Sequence, residues 1–232
     1  MEGLITHRSC VFFTCEGIEM SRIFFSTSIK GGVGKTALAA LVADTIQLYA
    51  PGDNLRCFSP RAEELTEYVD NGVGVEGRNL DTIGAIGAAV ESVGDDWGVF
   101  DFVPSSHRRV LELAPDIIAA YPHVHILYNV GDETLLPAET IAMLAGIKEN
   151  VTMCYVEPEP CEKPLKFMIP SLAAWHGDVL GIPRLNRVFG HVEMMNKRSI
   201  PLAQRMVIQN WKHRAISSIR DHFNIHSEVT EV

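Results

Sequence analysis

Two lysines, three glycines and a threonine share the seven residues Lys30-Gly31-Gly32-Val33-Gly34-Lys35-Thr36. That mixture suits the binding of a phosphate chain. Glycines let the backbone approach closely, and successive N–H groups can then wrap phosphate oxygens. The loop follows an apolar run, Ile23-Phe24-Phe25, and opens an apolar helical stretch from Ala37 to Tyr49. A helix starting there adds the partial positive charge of its N-terminus. Lys35 can reach the outer phosphates of a nucleotide, and the Thr36 hydroxyl can ligate Mg²⁺. The expected binding residues are Lys30, Gly31, Gly32, Val33, Gly34, Lys35, Thr36 and Ala37.

Such a loop needs a strand to deliver it and a helix to receive it. The chain predicts both, and then repeats the unit. Arg22–Ser28 reads as a strand and Lys35–Ala50 as its helix. After the Pro51-Gly52-Asp53-Asn54 turn come a strand over Leu55–Ser59 and a helix over Pro60–Tyr68. Gly72–Gly77 reads as a flexible loop. Asp81-Thr82 can cap a helix over Ile83–Val90. Trp97–Val103, His123–Val130 and Val151–Val156 read as strands, separated by helices over His107–Ala120 and Pro137–Lys148. A helix over Pro164–Trp175 with a break at Pro170, a short strand near Val179–Ile182 and a long helix over Pro201–Phe223 complete the pattern. Alternation of this kind predicts an α/β fold, a mostly parallel sheet with helices on both faces. Ligands of such sheets sit at the carboxyl ends of the strands, where the loop after the first strand lies.

The 232 residues suit one domain with a full core, expected over residues 20–232. Residues 1–19 read as an N-terminal extension, because the apolar stretch around Cys10–Cys15 is too short for a signal peptide. With 47% hydrophobic and 21% charged residues and no bilayer-length apolar run, the composition is that of a cytoplasmic globular protein, not a membrane one. The five cysteines, Cys10, Cys15, Cys57, Cys154 and Cys161, form no C-x-x-C pair, which argues against a disulfide framework or a structural zinc. His123 and His125 lack the Cys or carboxylate neighbours of a metal site. The net charge of −9 is unevenly spread. A basic block, Arg184, Arg187, Lys197, Arg198, Arg205, Lys212, Arg214 and Arg220, contains one acidic residue, Glu193. It is either a solvated helical surface or a face for nucleic-acid phosphates.

The general phosphate-loop pattern places glycine where this chain has Ile29, and this chain instead has Lys30 followed by two glycines. That variant resembles the deviant Walker A loop of the ParA/MinD family of ATPases. The resemblance implies ATP and Mg²⁺ as cofactors and a homodimer that sandwiches the nucleotides. Lys30 would reach the partner subunit's nucleotide, so that Lys30 and Lys35 are the expected catalytic lysines. Family members carry a hydrophobic strand ending in D-x-x-P, which Asp101 and Pro104 match. Asp101 and Thr36 are therefore the expected Mg²⁺ residues, Asp101 acting through water. Two elements depart from the family. Its aspartate motif after the second strand is replaced by Arg56-Cys57-Phe58-Ser59-Pro60-Arg61, without a carboxylate. Glu63 or Glu64 could substitute for it, but both read more simply as exposed helix residues. An adenine-contacting asparagine is not where the family has it, since Glu157 follows Met153–Val156.

Among subfamilies the chain is most similar to the divergent plasmid stability and conjugation proteins, the StbB/TraL group. The implied function is a nucleotide-switched ATPase of plasmid partition, stability or conjugative transfer, with weak or partner-dependent hydrolysis. The alternative is a non-hydrolysing adaptor of the same machinery. A plasmid-encoded protein partner is expected, with non-specific DNA as a further partner of the basic block. In the last helix Ile208, Trp211, Ala215, Ile219 and Phe223 share one face. That stripe reads as packing on the sheet rather than as a membrane contact.

Overall fold

A computed structural model of the chain describes residues 22–69, 72–131, 135–157, 169–185 and 201–225. Strand β1 (Ile23–Thr27) is buried along its whole length. Its side chains alternate between two cores: Ile23 and Phe25 enter one, Phe24 the other. Burial on both faces is what a parallel strand between two helix layers requires. Strands β2 (Leu55–Ser59), β3 (Val75–Gly77), β4 (Trp97–Asp101), β5 (Val124–Val130), β6 (Val151–Val156) and β7 (Asp178–Ile182) join it. Among the described residues the seven strands form one sheet in the order β3-β2-β4-β1-β5-β6-β7, and every pairing is parallel. The chain is thus an α/β protein with a parallel sheet, as its sequence predicts.

The helices divide between the two faces. On one side α1 (Lys35–Tyr49), α2 (Ala62–Tyr68) and the last helix α7 (Leu202–Phe223) pack over Phe24, Cys57, Val99, Leu127 and Cys154. On the other, α3 (Ile83–Glu91), α4 (His107–Ala120), α5 (Ala138–Gly146) and the single turn α6 (Pro170–Ala173) cover Phe25, Phe58, Phe100, Ile126 and Met153. That second core is aromatic: Phe25 meets Phe100 and Phe102 edge-on at 5.0 and 5.2 Å, and Phe58 stacks on Phe100 at 4.7 Å. Thr82 caps α3, its hydroxyl accepting from Ala85 N–H at 3.2 Å.

Several expectations need correction or limits. Val75–Gly77 is not loop but an edge strand, with Val75 opposite Cys57 and Gly77 opposite Ser59. Arg56 on β2 holds it by pairing with Glu76. Pro170 does not break a helix among the described residues but starts a short one, at the first-turn position where its missing N–H costs nothing. The expected helix over residues 164–168 and the extension over residues 1–19 lie outside the described residues. The apolar stripe of α7 is buried, yet it packs as much on α1 as on the sheet. Among the described residues no helix is long and apolar enough to cross a membrane.

Candidate functional site

β1 ends and α1 begins around the glycine loop, and two of its glycines show why that residue type is there. Gly32 and Gly34 have φ of 71° and 91°, a left-handed backbone that other residues adopt only with strain. Gly34 is also the N-cap of α1. The loop therefore turns its N–H groups and the helix start toward one end of the sheet.

Buried polar side chains fix this start. Ser26 on β1 donates its hydroxyl to the Lys35 carbonyl at 2.9 Å. Asn129, at the end of β5, donates to Ser26 Oγ at 3.2 Å and to the Leu127 carbonyl at 3.1 Å. Asn129 is 3% exposed. A buried amide must find partners, and here they tie the phosphate loop to two strands. Sequence reasoning missed Ser26 and Asn129. The detectable signal was an uncompensated polar residue closing a buried run.

Lys35 is buried, 7% exposed, and its ammonium donates to the Lys30 carbonyl at 3.1 Å. Burial lowers its pKa, and the charge of Asp101 acts against that shift. Lys30 is exposed, and its own N–H donates to Ser28 Oγ at 3.1 Å. The Thr36 hydroxyl donates to Asp101 Oδ2 at 3.0 Å, although 65 residues separate the two. β4 lies beside β1, with Asp101 opposite Ser26. Sheet order, not chain proximity, makes the pair.

Ser59, at the carboxyl end of β2, donates to the same Asp101 oxygen at 3.3 Å. Burial pushes the Asp101 carboxyl up to about 6, while the Thr36 and Ser59 hydroxyls and the Lys35 charge pull it down. Its other oxygen, Oδ1, is buried without a hydrogen-bond partner. An orphaned carboxylate oxygen beside a threonine hydroxyl fits a hard cation that keeps waters and phosphate oxygens for its remaining positions. Thr36 and Asp101 would hold Mg²⁺ here. No group of three or more His, Cys, Asp or Glu able to hold a metal occurs among the described residues.

Two cavities flank the loop. One, of about 470 Å³, is lined by Gly31, Gly32, Gly34, Lys35, Thr36 and Ala37 on the loop side. Asp101 faces it from the end of β4 and Pro104 from the turn beyond, and Arg61, Glu64 and Tyr68 from the start and body of α2. The other, of about 530 Å³, shares Gly32, Gly34 and Ala37 and adds Val33. Its walls are mostly apolar: Leu38 and Leu41 of α1, Tyr155 and Val156 of β6, Ile182 of β7 with Pro183 after it, and Trp211 of α7. Asn129 and Arg184 are among its polar groups. A cavity with charged groups in its walls and a mostly apolar one thus meet at the glycines.

The expected binding residues Gly31 to Ala37 all line one cavity or both, and Lys30 holds Lys35 through its carbonyl. Among the described residues the basic block is dispersed. Lys212 is paired with buried Asp44 at 2.7 Å, Arg220 with Asp221, and Arg184 donates to the Glu157 carbonyl at 3.0 Å. Arg205 and Arg214 are exposed but about half a turn apart around α7. Arg187, Lys197 and Arg198 lie outside the described residues.

No protein-family model matches the chain. No curated protein matches it either. Among solved structures it is similar to a ParA family ATPase from Chlorobium tepidum TLS, with a TM-score of 0.43 and 14% identity over 89% of this chain and 98% of that one.

Proposed function

We propose that this protein binds ATP with Mg²⁺ at the Lys30–Ala37 loop and acts as a nucleotide-dependent switch. The observation that carries the reading is the meeting of Thr36, Asp101 and Lys35 in one cavity, with Asp101 Oδ1 left without a partner. The loop glycines and the start of α1 cradle the phosphates, and Lys35 leaves the Lys30 carbonyl to meet the outer ones. Thr36 and Asp101 hold Mg²⁺, which neutralises charge on the phosphates. The base enters the apolar cavity, between α1 and Trp211 of α7. Two copies close over the nucleotides with Lys30 serving the opposite site. The output is a change of dimerisation that engages a plasmid-encoded partner or DNA in plasmid partition, stability or conjugative transfer.

Titration of the whole chain with ATP and Mg²⁺ tests this. Lys35→Ala should weaken binding by about a hundredfold or more, since a buried charge-assisted contact to phosphate is lost. A mutant that binds ATP as tightly as wild type refutes the loop assignment. The second reading, a non-hydrolysing adaptor on the same site, is favoured by one observation: β2 ends in the Ser59 hydroxyl, not in a carboxylate.

A further inference from the structure

Transfer of a phosphoryl group to water needs a residue that holds the water in line with the bond that breaks. Two acidic residues line the Lys35 cavity, Asp101 and Glu64. Asp101 is occupied, taking the hydroxyls of Thr36 and Ser59 on one oxygen and facing the cation site with the other. Glu64 is in the first turn of α2, half-buried, with its carboxylate 3.2 Å from the Arg61 guanidinium. Glu63, its neighbour, is exposed and does not line the cavity. One residue along a helix turns the side chain by about 100°, so the two glutamates cannot serve one site.

We infer that Glu64 is the carboxylate that orients the attacking water, held in place by Arg61. The inference rests on the ATP reading above. In the step, the water oxygen bonds to the terminal phosphorus while the bond from that phosphorus to its bridging oxygen breaks. The bridging oxygen keeps the electron pair and leaves on the nucleoside diphosphate. One proton of the water passes to Glu64 and from there to the phosphate released. The chain thus reaches the water from α2, a turn beyond the end of β2, with a longer side chain than aspartate.

The test is phosphate release in a single turnover, with the whole chain in excess over ATP·Mg²⁺, beside equilibrium titration of the same proteins. Glu64→Gln should slow release by about a hundredfold or more and leave the dissociation constant within about threefold of wild type. Retained affinity also shows that the variant is folded. Glu63→Gln should release phosphate at the wild-type rate. Release by Glu64→Gln at the wild-type rate overturns the inference. So does a wild-type protein that binds ATP·Mg²⁺ but shows no release that Lys35→Ala removes. In both cases the binding reading stands. A wild-type protein that does not bind ATP·Mg²⁺ overturns that reading, and the role of Glu64 with it.

Discussion

Lys30 and Lys35 belong to one loop but to different physical settings. Lys35 is buried and its ammonium is held by a backbone carbonyl, so the loop already holds a cation where a phosphate would bind. Ligand oxygens would replace that carbonyl, exchanging a neutral acceptor for a charged one, which is the stronger bond. Lys30 is exposed, and an exposed ammonium contributes little to its own subunit until something covers it. A second copy over the loop would be such a cover. Lys30→Ala should therefore keep ATP·Mg²⁺ affinity within about threefold of wild type, yet lose dimers formed on nucleotide addition. Sedimentation with and without ATP·Mg²⁺ reads the difference. Equal dimer content in mutant and wild type would remove the role of Lys30 across the interface.

At the scale of elements, α1 joins the loop to the last helix. Its first residues are Lys35 and Thr36, and further along Asp44, 2% exposed at its side chain, pairs with Lys212 of α7 at 2.7 Å. Lys212 is therefore a structural cation. Taking the cation away from a buried carboxylate is costly, so Lys212→Ala should destabilise the protein by about 3–5 kcal/mol. Replacing both residues, Asp44→Leu with Lys212→Met, should restore most of that stability, because well-packed apolar groups can substitute for a buried pair. Urea unfolding of the three proteins measures this, and a single mutant as stable as wild type would mean that the pair is screened. Lys212 shows where sequence stops. Its position on α7 was legible, but its partner lies far back in the chain. The strands were legible because Ile23–Phe25, Val99–Phe100 and Ile126–Tyr128 are apolar runs buried on both faces. Val75–Gly77 was not, since only its pairing with β2 makes it a strand. Lys30–Thr36 could be read because one contiguous stretch carries the chemistry. Ser26, Ser59 and Asn129 could not, because their meeting depends on β2, β4, β1 and β5 lying in that order.

Across the whole molecule, the two ends of the sheet titrate in opposite senses. At the loop end, burial raises Asp101 to about 6 from an ordinary 3.8. The folded state then binds its proton more tightly than the unfolded chain. Its contribution to stability is full below about pH 3.8 and is lost as pH rises through about 6. At the other end, His125 lies opposite Phe24 in the register, its ring 5.3 Å from Phe24 and 5.4 Å from Phe223 of α7. Burial, then the charges of Arg22, His123 and His222, push it down from 6.5 to about 4, against a weaker pull from Asp178. Its contribution is full above about pH 6.5 and is lost as pH falls through about 4. Each shift is worth at most ~3 kcal/mol, so over the window they share the two largely offset each other. His222, also lowered by burial, adds to the His125 side. Single variants separate the terms. His125→Phe keeps an aromatic ring between its neighbours and removes the proton site. Its nucleotide-free form should gain stability relative to wild type as pH falls from about 6.5 to about 4. Asp101→Asn removes the opposing term, so its stability should fall more steeply than wild type over that range, and Mg²⁺ should no longer strengthen ATP binding. Urea unfolding at stepped pH gives the slopes, and three parallel curves would show that neither group is buried as the fold places it.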